Sequence, residues 1–273
     1  MKPPSAIELA PEWKRSLPLA SPVILASGRL AEPGGETLGA VVTRPLTMSA
    51  RSGPPQPRIV EVPGGLLLRT GAANPGLARM VQRQRRAWNA STAPVIVAFA
   101  AQGARDWGAM AAYLRDVPGV AGIEIHLNAT VDAPAAIRAI REASDVPILA
   151  KLDLDDLRDG PRECVQAGAN ALVIARPPRG MARIQGRDWY GRLYAPAVKP
   201  LVLRAVADVV GMNLAPVVAC GGIHSAADAR EFLAAGAVAV EIDSAAWLVP
   251  SIAGEIAAEV GAGGPTTPSA FPH

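Results

Sequence analysis

APVVACGGIHSAADAREFLAAGAVAVEID, residues 215–243, contains one complete strand–helix–strand unit. Its first run, "APVVAC" (215–220), and its last, "VAVEID" (238–243), are short and almost continuously apolar, as strands buried on both faces must be. Between them "SAADAREFLAAGA" (225–237) has the amphipathic spacing of a helix. The same beat runs through the chain. "PVILAS" (22–27), "GAVVTR" (39–44), "PVIVAF" (94–99), "GIEIHL" (122–127), "PILAKL" (147–152) and "ALVIAR" (171–176) are strands of the same kind. Amphipathic segments at 74–88, 104–117, 133–144, 157–169, 195–211 and 244–260 alternate with them. Eight strands alternating with helices predict a closed parallel (β/α)8 TIM barrel, one domain over residues 1–260. An open doubly wound sheet would use the same units, but eight evenly spaced ones favour closure.

Three segments stand outside the beat. Residues 1–20 predict a short N-terminal hairpin or plug under the barrel. Residues 45–73 form a long Pro/Gly-rich insertion after the second strand, a length that marks a functional or a disordered loop. Residues 261–273, "GAGGPTTPSAFPH", predict a disordered tail.

Composition excludes several classes. The net charge is +3 and aromatic residues are 4%, so there is neither the basic stripe nor the stacking platform of a nucleic-acid binder. Cys164 and Cys220 stand far apart, outside any CxxC, and imply neither a metal site nor a disulfide framework. The N-terminus has no apolar run of signal-peptide length, and no window reaches the ~18 apolar residues of a membrane span. The expectation is a cytoplasmic protein.

In such barrels the site lies at the C-terminal ends of the strands. Here those ends are Ala26-Ser27-Gly28, Thr43-Arg44, Ala98 to Ala101, His126 to Thr130, Lys151-Leu152-Asp153, Ala175-Arg176, Cys220-Gly221-Gly222 and Asp243-Ser244.

"SPVILASG", "GAVVTRPLT", "PPQPRIVEVPGGLLLRTGAANPG", "PVIVAFA", "PILAKL", "APAVKPLVLRAV" and "CGGIHSAADAREFLAAGAVAVEI" follow one another in an order and spacing that resemble the class 1 dihydroorotate dehydrogenases. The resemblance covers about residues 20 to 250. It implies an FMN-binding barrel, commonly a dimer, that oxidises dihydroorotate to orotate. It places Ala26, Ser27 and Gly28 at the flavin-contacting turn after strand 1. Asn74-Pro75-Gly76 match the turn that opens the first long helix. Lys151 matches a lysine against the flavin, and Gly221-Gly222-Ile223 match the loop that holds the FMN phosphate.

The chemistry positions depart from that pattern. The family's strand-4 tip reads Asn-x-Ser-Cys-Pro-Asn, its Cys being the base. Here the stretch is His126-Leu127-Asn128-Ala129-Thr130-Val131, and alanine cannot accept a proton. Leu68 stands for the substrate-holding asparagine of the insertion, and Ala175-Arg176 for the Asn-Thr or Asn-Ser pair after strand 6. Arg44 replaces the strand-2 lysine, Ala98 the strand-3 serine, and Gly191-Arg192-Leu193-Tyr194-Ala195 a Gly-Gly-x-Ser-Gly turn. Losing several buried hydrogen-bond partners at once removes discrimination for a planar polar ring, which argues against dihydroorotate as substrate. Asp243-Ser244 replaces Gly-Thr beside the phosphate, where a carboxylate repels the dianion. That counts against FMN in the usual mode unless Asp243 turns away, for instance to cap the last helix, or an arginine compensates.

The candidate catalytic residues are therefore Lys151 and His126. The plain alternatives are a relic Lys151 paired with Asp153 or Glu124, and a satisfied interior His126. Alternating layers would set His126 and Asp243 facing each other across the ring. The candidate cofactor contacts are Ala26, Ser27, Gly28, Arg44, Lys151, Gly221, Gly222 and Ser244. The candidate substrate contacts are Arg44, Arg69, Asn74, Asn128 and Arg176, because arginine captures carboxylate and phosphate through two parallel hydrogen bonds. Arg179 and Arg192 read as solvated rim residues.

Three functions compete. The first is an oxidoreductase of the flavin lineage with a changed, anionic substrate. The second is a flavin-free lyase or isomerase using Lys151 or His126. The third is a non-catalytic barrel, a homodimer or the partner of a related subunit, with Tyr190, Tyr194 and Trp189 plugging its mouth.

Overall fold

The computed structural model describes residues 7–26, 38–101, 103–127 and 131–262. Eight parallel strands close into a barrel: β1 (Val23–Leu25), β2 (Ala40–Val42), β3 (Val95–Phe99), β4 (Val120–His126), β5 (Ile148–Leu152), β6 (Ala171–Ile174), β7 (Val217–Cys220) and β8 (Ala239–Ile242). Each strand pairs with its neighbours in sequence, and β8 closes on β1 through Glu241 opposite Ile24. The expected TIM barrel is thus what forms, with every expected strand in place.

The helices are α1 (Leu77–Ala90), α2 (Ala104–Leu114), α3 (Ala133–Ala143), α4 (Gly160–Ala167), α5 (Lys199–Gly211), α6 (Ala226–Ala234), α7 (Ala245–Leu248) and α8 (Ile252–Ala262). Local chemistry sets their ends. Asp132 accepts the Ala135 N–H at 2.9 Å to start α3, and Ser225 accepts the Asp228 N–H at 3.2 Å to start α6. Gly168 ends α4 with φ +113, a left-handed turn that glycine adopts without steric cost. Residues 244–260, expected as one helix, are two. Pro250 lacks an N–H and drives Val249 into extended backbone, φ −127 and ψ 94, between α7 and α8.

Two apolar cores follow from strand alternation. Outward residues such as Leu25, Val41, Val97, Ile125 and Leu172 pack under the helices. Inward residues Ile24, Val42, Ile96, Leu149, Val173 and Val218, spaced by small alanines, fill the barrel. The N-terminal hairpin is present: Ile7–Glu8 pairs with Pro18–Leu19, and Leu9, Leu17 and Leu19 join the inner core.

The insertion is where the fold exceeds expectation. Ile59–Val62 and Gly65–Leu68 form a hairpin, and Arg179–Ile184 and Arg187–Tyr194 form another. The two join at Leu66–Tyr194, Leu67–Leu193 and Leu68–Arg192 into one antiparallel sheet of four strands at the barrel's rim. Of residues 261–273, expected as a tail, Gly261 and Ala262 continue α8 and 263–273 lie outside the described residues. Among the described residues no helix is long and apolar enough to cross a membrane.

Candidate active site at the barrel mouth

In β4, β5 and β8 the inward positions nearest the mouth carry charge. Glu124 and His126 face inward from β4, Lys151 from β5 and Glu241 from β8, with Asp243 just beyond. Glu124, Glu241 and Lys151 are 0%, 1% and 4% exposed, so their charges must be met internally. The Lys151 Nζ donates to Glu241 Oε2 at 2.5 Å and to Glu124 Oε1 at 3.4 Å. The His126 Nε2 lies 2.6 Å from the same Glu124 Oε1. Glu124 Oε2 and Glu241 Oε1 are buried without a donor among the described residues.

The titration of these groups follows from that packing. Burial, joined by the Glu124 charge, pushes the Glu241 carboxyl up to about 8. Burial alone would lower the Lys151 ammonium, but Cys220, Glu124, Glu241 and Asp243 outweigh it and hold the ammonium well above its ordinary value. Burial, then the positive charges of Lys151 and Arg176, hold His126 well below its ordinary value, so its ring is neutral at pH 7. Burial pushes Asp243 up to about 6. Burial also raises the Cys220 thiol well above its ordinary value, which keeps it a thiol and a poor nucleophile.

A second cluster joins the mouth to the rim sheet. Asp153, at the end of β5, accepts from Arg192 Nη1 at 2.8 Å and Nη2 at 2.9 Å, and from Arg179 at 3.3 Å. Arg176 lies 3.4 Å from it and also donates to the Leu127 carbonyl. Burial acts against the Asp153 carboxylate, but bonding to Arg192 and the Arg176 charge outweigh it and lower its pKa. Three guanidiniums thus meet one carboxylate. Arg192, expected as a solvated rim residue, is instead drawn onto Asp153, because a buried carboxylate demands partners, while Arg179 stays half-exposed as expected and reaches Asp153 from the rim.

The third element is the turn after β7. Gly221 and Gly222 have φ +125 and +71, and a Cβ on Gly222 would stand 2.6 Å from the Lys199 backbone, so only glycine fits. Among the described residues the N–H groups of Gly222 and Ile223 donate to no protein acceptor, while that of Gly221 continues the β7–β8 ladder past the Cys220–Glu241 pair. The next, His224, donates to Asp228 Oδ2 at 3.0 Å, and Asp228 also accepts from Lys199 at 2.6 Å and from Ser225 Oγ at 2.8 Å. Unpaired N–H groups on a braced turn have the geometry that suits an anion.

The other candidates are placed as follows. Ala26 ties β1 to β8 through its N–H and the Ile242 carbonyl at 2.8 Å. Arg44 is exposed at the end of β2, and its charge acts on Asp243. Arg69 packs over the Trp189 ring, 4.9 Å from its centroid, with Nε buried and lacking an acceptor among the described residues. The Asn74 amide is used on Ala72 and Gly76 of its own turn and on Thr47 after β2. Ser244 caps α7 without a side-chain bond. Ser27, Gly28 and Asn128 lie outside the described residues.

Further expectations are corrected. His126, expected to face Asp243 across the ring, bonds Glu124 two positions earlier on the same face of its own strand. Lys151 takes Glu124 and Glu241, while Asp153 belongs to the arginines. Among the described residues the Asp243 side chain makes no cap bond to α7. Of the three aromatics, Tyr190 is exposed and Trp189 is buried beneath Arg69. Tyr194 alone turns to the mouth, within electrostatic reach of Asp243, Cys220, Lys151 and Arg176, its ring 5.2 Å from that of Trp247. Glu241 is the residue that sequence reasoning missed. Its signal was an acid at an inward position of a strand otherwise apolar.

This site fits FMN at one end only. The unpaired N–H groups after β7 suit its phosphate. Lys151, which the sequence resemblance would set against the ring, is turned into the barrel onto two carboxylates, so the ring end does not match. Among the described residues no group of three or more His, Cys, Asp or Glu is placed to hold a metal ion.

The sequence model of the dihydroorotate dehydrogenase family matches residues 14–155 and 179–262 of the chain. The chain is 33% identical over 284 residues to the "Dihydroorotate dehydrogenase B (NAD(+)), catalytic subunit" of Geotalea uraniireducens (strain Rf4), covering 94% of this chain and 92% of the relative. It is 33% identical over 287 residues to the protein of the same name from Geobacter sulfurreducens, covering 95% and 92%. The corresponding protein of Geotalea daltonii is 32% identical, with the same coverage.

Proposed function

The chain belongs to the dihydroorotate dehydrogenase family, and on that premise we propose that it is a divergent member, an oxidoreductase of this lineage acting on a small anion other than dihydroorotate. The observation that carries the reading is the charge of the mouth. The unpaired N–H groups after β7 share it with Arg176, Arg179 and Arg192, three positive charges against the carboxylates of Asp153 and Asp243. Arg44 and Arg69 add to the same side. The residues lost argue against dihydroorotate. Alanine stands at 129, where the base belongs, and Leu68 is buried in the rim sheet where a substrate asparagine belongs.

The ligand places a phosphate or carboxylate on Gly222 and Ile223 and its remaining charge near the arginines. FMN is one such ligand, held by its phosphate without the Lys151 contact. The relatives are catalytic subunits by name, which supports a chain that works in a complex, either with a related subunit or with its own copy. A second reading, a flavin-free lyase or isomerase using His126, is favoured by the withdrawal of Lys151 onto Glu241.

An absorption spectrum of the purified protein, with and without added FMN, tests the reading alongside dihydroorotate turnover with an artificial electron acceptor. A flavin band displaced by phosphate, with no orotate formed, is the expected result. Orotate production would overturn the changed substrate. Absence of any flavin or phosphate binding would overturn both the oxidoreductase and the anion site.

A further inference from the structure

Two carboxylates, one ammonium and one imidazole share the barrel interior just below the mouth. With Lys151 charged, both carboxylates ionised and His126 neutral, this interior would carry one net negative charge at almost no exposure, which is costly. One added proton restores neutrality. It has two places to go: between Glu124 and Glu241, whose unpaired oxygens, Oε2 and Oε1, lie buried, or onto His126, 2.6 Å from Glu124 Oε1. Both placements have the same net charge, so the proton moves between them without charging the interior.

We propose that Glu241, Glu124 and His126 form a proton relay that makes His126 the proton donor to the anion bound at the mouth. This rests on the anion-binding reading above. In the step, the His126 N–H bond breaks and a bond forms between that proton and a negatively charged O, N or C atom of the ligand. The Glu241 proton passes through Glu124 to refill His126, leaving Glu241 ionised, and solvent reprotonates it once product leaves. No electrons change hands. His126 is placed for the exchange: it ends β4 at the mouth, with its side chain 17% exposed against 0% for Glu124. Arg176 and Arg192 lie near enough to act on it and stabilise the negative charge left behind.

The groups facing the relay are Lys151 from β5, Cys220 from β7, Asp243 from β8, Arg176 after β6, and Arg192 and Tyr194 from the rim sheet. Lys151 carries a raised pKa and keeps its proton. Cys220 and Tyr194 keep theirs for a different reason, burial, which disfavours their anions. Asp243 titrates lower, at about 6.

NMR of the ligand-free protein, labelled with 13C at glutamate Cδ and 15N in histidine, tests the proposal. One carboxyl step near pH 8, with the His126 ring nitrogens shifting in the same step, is expected. Glu241→Gln should abolish the step and leave the His126 ring titrating by itself. Two carboxyls ionised throughout pH 5 to 10, or a step unchanged in Glu241→Gln, would overturn the relay. If that variant fails to fold, Glu124→Gln should uncouple the His126 ring from any step near pH 8, and persistence of the coupling overturns the proposal equally. Because no ligand is present, a relay seen here with no anion binding would fault only the ligand reading.

Discussion

Glu241 and Lys151 show how one buried pair sets measurable behaviour. The Glu241 carboxyl titrates near 8 when folded, against an ordinary 4.5. Between those values the folded protein holds a proton that the unfolded chain releases. Stability from this group is therefore full below pH 4.5, falls as pH rises and is gone above 8, at no more than about 1.4 kcal/mol per unit. The windows of His126 and Asp243 lie below pH 7, so the comparison belongs above it. The melting temperature should fall between pH 7 and 9, and Glu241→Gln should flatten that slope. Lys151→Met should cost about 3–5 kcal/mol in denaturant unfolding, since it leaves two carboxylates buried without their cation. Adding Glu241→Gln to it should recover part of the loss. Sequence alone supplied half of this pair. Glu124 stands near Lys151 on the adjoining strand, whereas Glu241 is brought there by closure of the barrel, which acts across the whole chain.

The rim sheet and the β7 turn are the elements on which the mouth depends. Asp153 holds the sheet through Arg179 and Arg192, so Asp153→Ala should loosen the strands at 179–184 and 187–194 and leave the barrel strands protected. Hydrogen exchange would register this as faster amide exchange confined to the sheet. Gly222→Ala forces a Cβ against the Lys199 backbone at φ +71 and should cost about 1–3 kcal/mol while weakening phosphate binding by an order of magnitude or more. The barrel strands were legible because burial on both faces leaves continuous apolar runs. The rim strands were not, since "RGMARI" and "RDWYGRLY" are polar or half-buried and show no such run. Their turns were the available signal. Gln185-Gly186 has φ +49 and +76, the two-residue hairpin turn that glycine marks, and Pro63-Gly64 separates the other pair.

The barrel as a whole is closed at one end by its own N-terminus. Leu9 and Leu17, essentially unexposed, complete the inner core from below, so Leu17→Ala should cost about 2–5 kcal/mol in global unfolding and leave the mouth's ligand affinity unchanged. The opposite end is finished by two hairpins from distant parts of the chain. That arrangement bears on biosynthesis. Gly65–Leu68 leaves the ribosome long before Arg187–Tyr194, the strand that covers its free edge. Until then the nascent protein displays an open run of Gly-Leu-Leu-Leu, the kind of edge that recruits a second chain or a holding chaperone. A polypeptide halted before residue 187 should accordingly be captured or aggregate, and the mouth of the barrel is among the last parts of the molecule to come into existence.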